Sequence, residues 1–214
     1  MDLVYIPTYI FFLYIIDKLI NQQNIRWFIL HSITNFLVII SSFHDMYNLL
    51  LTPLYTSNDA SIVPRIITIG LHTYHLLAFK NIEFIDYVHH YVMIGALLTT
   101  YYYSDMNMTN YFLFYMTGLT GFFDYIMLTL IKLGYIHKNI EKNINSKLNN
   151  YVRFPLIMNG ISILYFRYLA NLYNVNIYGI LGLMSIFFWN GSYFNYRVIY
   201  NYGLNDIKKE EFSI

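Results

Sequence analysis

The chain has no cysteine. Disulfides, thiolate zinc sites and a cysteine nucleophile are therefore excluded. Charge is nearly as scarce, with 12% of the 214 residues Asp, Glu, Lys or Arg against about 25% in a soluble domain. A soluble globule of this size needs charge to cover its surface. Thirteen basic and twelve acidic side chains leave a net charge of +1, so no basic surface points to nucleic acid. Only four prolines and ten glycines interrupt the sequence, and no internal repeat is visible. The start, MDLVYIP, lacks the basic region and small-residue cleavage site of a secretory signal, so the first apolar run is expected to stay. What fills the chain instead is apolar and aromatic: 57% hydrophobic residues, with 24 tyrosines and 17 phenylalanines. Disorder is excluded by the same composition, and tyrosine rings sit well at a membrane interface. The expected class is an all-α polytopic membrane protein.

Breaking the chain at polar clusters and prolines leaves seven apolar runs, near 3–20, 27–51, 62–80, 84–103, 108–132, 151–174 and 177–200. A span needs about 20 residues, so a bundle of seven spans is expected, or six if the first run does not cross. The seven consume nearly the whole chain and leave no room for a soluble catalytic domain. Basic residues recur on every second connection: Lys18 and Arg26, then Lys80, then Lys132 to Arg153, then Arg197, Lys208 and Lys209. That alternation predicts a lumenal N-terminus and a cytoplasmic C-terminus. Residues 1–26 form the first span and link, 27–205 the membrane domain, and 206–214 a cytoplasmic tail. The polar stretch 134–150 reads as a solvated cytoplasmic loop.

Charged and polar side chains inside spans are costly and usually face a bundle interior. At helical spacing, His31, Asn35, Ser42 and Asp45 share one face of the second run. Arg65, Thr68, His72 and His75 do so in the third, and Asp86, His89, His90, Met93 and Thr100 in the fourth. Asp124 and Arg167 lie in the fifth and sixth runs, and Asn190 in the seventh. These stripes predict a polar-lined cavity with His31, Asn35, Asp45, His72, His75, Asp124 and Arg167 on its wall. Hydrogen-bonded glue between helices is the bland alternative. Asp86 precedes His89 and His90 by one helical turn, so it can orient an imidazole as a general base. His89, His90 and Asp86 are the expected catalytic group. Arg167 is expected to face the bundle interior and find an acidic or carbonyl partner, with Asp124 or Asp86 as the expected acid.

The segment IDYVHHYV (85–92) resembles the Asp and His-His pair of TLC-domain proteins, the group that includes ceramide synthases. NFLVIISSFHDMYNLL, IGLHTYHLLAFKN, GLTGFFDYIMLTLIKLGY, ILYFRYLANLY and WNGSYFNYRVIYNYG follow the family's order over roughly 30–205. The second His-Asp pair and the Glu of the longer ceramide-synthase signature are absent, with Leu128 near the place of the acid, and His75 stands where many members have Asp. The resemblance implies a helical barrel in an internal membrane such as the endoplasmic reticulum, with membrane lipids as partners and a role in sphingolipid or fatty-acyl handling or in lipid sensing. In the enzymatic version, acyl-CoA is the co-substrate and no resident cofactor or metal is needed. Two other classes compete. HTYH (72–75) and DYVHH (86–90) superficially echo the His boxes of membrane di-iron hydroxylases and desaturases, but a third box is missing. Intramembrane Asp, His and Arg also serve channels and proton-coupled carriers, although no inverted repeat supports this.

Overall fold

The computed structural model describes residues 4–54, 59–80, 82–173 and 175–211, with backbone alone from 205 onward. Seven helices and no strand occur among the described residues. They are α1 (Tyr5–Leu19), α2 (Arg26–Leu51), α3 (Val63–Ala78), α4 (Phe84–Tyr103), α5 (Met106–Lys132), α6 (138–169) and α7 (Ile177–Glu211). Three are long and apolar enough to cross a membrane: α2, α5 and α7 through Leu204. The helices α1 and α3 have 15 and 16 residues, short of the roughly 20 that a perpendicular span requires.

Helices α2 to α7 close a ring: α2 packs on α3, α3 on α4, α4 on α7, α7 on α6, α6 on α5, and α5 on α2. Helix α1 lies against α3 with a smaller contact on α2. Its seam is apolar, with Leu13, Leu30, Leu71 and Tyr74 buried together, and it is pinned by polar contacts at two levels. Tyr9 Oη meets Thr34 Oγ1 at 2.8 Å, while Asp17 accepts from Arg26 and from Tyr74 Oη at 2.7 Å. The ring's outer face is apolar. On α2, Phe36, Ile40, Phe43 and Tyr47 are exposed at helical spacing, a stripe that water would not tolerate in a monomeric soluble protein.

Two helices carry a widened π turn, at Phe114–Leu119 in α5 and at Asn149–Arg153 in α6. The second lies just before Pro155, which has no N–H for the carbonyl four residues back. The widened turn lets the helix continue through the proline. The polar stretch 134–150, expected as a solvated loop, is helical from Lys138. Glu141, Asn145, Ser146 and Asn149 in it, and Arg153 just beyond, are buried, because they form the inner face of an amphipathic segment packed on α5 and α7. Helix α5 ends at Gly134, whose φ of +80° reverses the chain as a left-handed cap.

At one end of the ring, polar residues interlock. Arg167 is fully buried and donates to Asp105, to the Pro53 carbonyl at 2.9 Å and to Tyr173 Oη at 2.8 Å. The expected acids, Asp124 and Asp86, are not its partners. Arg167 lies fourteen residues beyond Arg153, about 21 Å along α6, where Asp105, the residue before α5, meets it. Asp105 also caps α5 by accepting from the Met108 N–H at 2.8 Å. Nearby, Asp45 accepts from Asn110 Nδ2 at 2.6 Å and from the Ser61 N–H at 3.1 Å.

Candidate functional site: a histidine-walled cavity inside the ring

A cavity of about 140 Å³ opens within the ring, and each of α2 to α7 contributes to its wall. Helix α1 contributes nothing among the described residues. His31, His72 and His89 line one side. Asp124, Asn145, Asn149, Arg153 and Asn190 line the other, joined in a single hydrogen-bonded chain. Asn145 Nδ2 donates to Asp124 Oδ1 at 2.8 Å, Asn149 Nδ2 to Asn145 Oδ1 at 2.7 Å, and Arg153 to Asn190 Oδ1 at 2.8 Å. Arg153 also reaches Asn149 Oδ1 at 3.4 Å and lies over the Phe194 ring. Among the described residues no carboxylate forms an ion pair with Arg153.

Five imidazoles gather at the histidine wall. His72 and His90 share a hydrogen bond between their Nδ1 atoms at 2.6 Å, one ring donating and the other accepting. His31 stacks on Tyr125 at 3.9 Å between centroids, and Trp27 stacks on His75 at 4.0 Å. His89 meets the edge of Phe194. Local structure explains the grouping. Residues 72 and 75 are one turn apart on α3, 27 and 31 one turn apart on α2, and the two helices pack together at this level. His89 turns to the cavity and His90 toward α3, as the 100° step between neighbours on a helix requires. Among the described residues six ring nitrogens have no hydrogen-bonding partner: His31 Nε2, His72 Nε2, both of His75, His89 Nδ1 and His90 Nε2.

Of the expected lining residues, His31, Asn35, His72 and Asp124 are on the wall. Asp45, His75 and Arg167 are not. Asp45 shares the face of Asn35 but stands ten residues further along α2, about 15 Å away. His75 is fully buried behind Trp27. Asp86, expected to orient an imidazole, is half-buried and forms no hydrogen bond to His89 or His90 among the described residues. Asn145 and Asn149 escaped the sequence reading because their segment reads as loop. The signal was nevertheless present: Glu141, Asn145, Asn149 and Arg153 repeat every fourth residue, the spacing of one helix face.

The fold and site define a class: an all-helical protein, three of whose helices can cross a membrane, enclosing a polar cavity within an apolar exterior. No family model matches the chain, and no curated protein or solved structure does either.

Proposed function

We propose that this chain is a multi-pass membrane protein that binds a membrane amphiphile, polar group in the cavity and hydrocarbon between the helices. The observation that carries this reading is a second, apolar space next to the first, walled in part by the same residues. Val92, Met93, Ala96, Leu97, Phe112 and Phe187 bound it, and Met93, Met116 and Asn190 belong to both walls. A polar chamber beside an apolar seam between α4, α5 and α7 matches the two halves of a lipid. The seam is narrow, about 20 Å³, room for about one water-sized group. Seating an acyl chain therefore requires α4 and α7 to part.

The resemblance to TLC-domain proteins supports the same reading and adds an internal membrane, with the cavity end cytoplasmic by the alternation of basic links. The acyl-CoA-dependent transfer that it implies would fall to His89, the cavity-facing member of the pair. Among the described residues no carboxylate bonds His89 to orient it as a base, so binding is the function assigned.

The test is the lipid retained on purification in mild detergent. One amphiphile per chain is expected by mass spectrometry, and Ala96→Trp, which fills the seam, should release it. Absence of retained lipid, or equal retention by the Trp variant, would refute the reading.

A further inference from the structure

Beyond lipid binding, we infer that His72, His89 and His90 form a binding site for one divalent transition-metal ion of the zinc type, its open position facing the cavity. Three features converge on these residues. Their ligand nitrogens all lie within 4.8 Å of one another. Their ring centroids are 5.4 Å (His72–His89), 4.8 Å (His72–His90) and 5.6 Å (His89–His90) apart. Three imidazoles on a tetrahedral ion, with Zn–N bonds of about 2.0–2.1 Å, keep their centroids about 5 Å apart. The rings thus already stand at coordination spacing, and bringing the nitrogens to the ion takes side-chain adjustments of about an ångström.

The second feature is the inward-facing Nδ1 pair. His72 and His90 turn their Nδ1 atoms on one another at 2.6 Å across one shared proton, and His89 Nδ1 is buried without a partner among the described residues. Buried polar atoms are nearly always paired, and an orphan beside such a pair needs a reason. An ion in place of the shared proton would bind both Nδ1 atoms and supply one. The third is the donor chemistry. Neutral imidazoles without carboxylate suit zinc, copper, nickel or iron rather than magnesium or calcium. A three-histidine set with a fourth position left open is the arrangement of catalytic rather than structural zinc, and His72 and His89 both line the cavity into which that position would open. His31 and His75 stand behind, their rings 6.4 Å from His72 and 5.5 Å from His90 respectively.

A Co2+ titration of the purified, chelator-stripped chain, with Zn2+ as competitor, tests the site. We expect one ion per chain and the visible absorption of tetrahedral Co2+, erased by one equivalent of Zn2+. His72→Gln, His89→Gln and His90→Gln should each weaken binding at least 100-fold, whereas His44→Gln and His137→Gln, outside the cluster, should change it less than twofold. X-ray absorption at the zinc edge of the unmodified chain gives an answer even if a variant fails to fold: about three imidazoles per zinc are expected. No stoichiometric binding, binding indifferent to the three substitutions, or a shell of oxygens alone overturns the site. Metal and lipid are measured on the same preparation, so either proposal can fail without the other.

Discussion

The two ends of the helix ring use buried polar residues differently. At the Arg167 end most donors and acceptors are answered: one guanidinium serves Asp105, a backbone carbonyl and a tyrosine hydroxyl, and Asp45 serves Asn110 and Ser61, while Asn110 Oδ1 and Arg65 Nε stand without a partner among the described residues. At the cavity end, five histidines crowd together with six ring nitrogens unmatched, and Arg153 makes its bonds to amides only. Buried polar groups that answer one another hold helices together. Buried polar groups left unanswered are held for something else, because leaving a donor or acceptor without a partner costs about 1–3 kcal/mol each.

Substitutions at the two ends should therefore separate stability from binding. Arg167→Met carries the largest expected loss, about 3–5 kcal/mol, since breaking a buried pair strands the partner charge. Thermal unfolding in detergent measures it, and a midpoint within a degree or two of the parent would erase the contrast. Asn110→Leu should cost about 1–3 kcal/mol by leaving the Asp45 carboxylate short of a donor, read by the same melt. Gly160→Ala belongs in a similar range, about 1–3 kcal/mol, because an added Cβ would meet the Tyr111 and Phe112 rings at 2.7 and 2.9 Å. Those rings are locked, Phe112 being stacked on Phe187 at 3.7 Å. At the cavity, His89→Leu removes an unmatched nitrogen and should leave the midpoint unchanged or raised by up to about 1 kcal/mol, while abolishing lipid retention. A large loss of stability there would mean that the histidines are glue after all. Gly121→Ala is the smallest, within about 0.5 kcal/mol. Its Cβ would meet the Asn35 amide, Nδ2 at 2.6 Å and Cγ at 3.3 Å, the far end of a side chain that borders the cavity and can turn into it, and a melt matching the parent is the expected result.

The sequence reveals direction around a helix better than distance along it. Period-3.6 patterning places Asn35 and Asp45 on one face, and they are; it says nothing about the ten residues that put them at opposite ends of the ring. The same limit explains Arg167, whose partner Asp105 sits at a helix start rather than inside an apolar run. The fourth run, 84–103, matches Phe84–Tyr103 to the residue, because Glu83 and Ser104 are extended and the run between them is unbroken. The segment 138–148 was illegible for the converse reason. Eleven polar-rich residues have no reason to be helical alone, and only packing against α5 and α7 makes them so. The histidine cluster was half legible: each His lies on a stripe, but Trp27 and Tyr125, which wall it, carry no polar signal.

The π turns at Phe114–Leu119 and Asn149–Arg153 have a consequence in the language of insertion and deletion. A π turn is an α-helix with one residue too many, so each marks a place where the chain has room to lose a residue without losing its helix. Both lie beside the cavity, which draws Met116 and Thr117 from one and Asn149 and Arg153 from the other. Removing a single residue from the turn in α5 would restore the ordinary repeat there and leave the residues beyond it, Asp124 among them, on the faces they hold now. Only the wall at Met116 and Thr117 would be redrawn. A one-residue length change, silent for the fold, would alter the cavity at that turn alone.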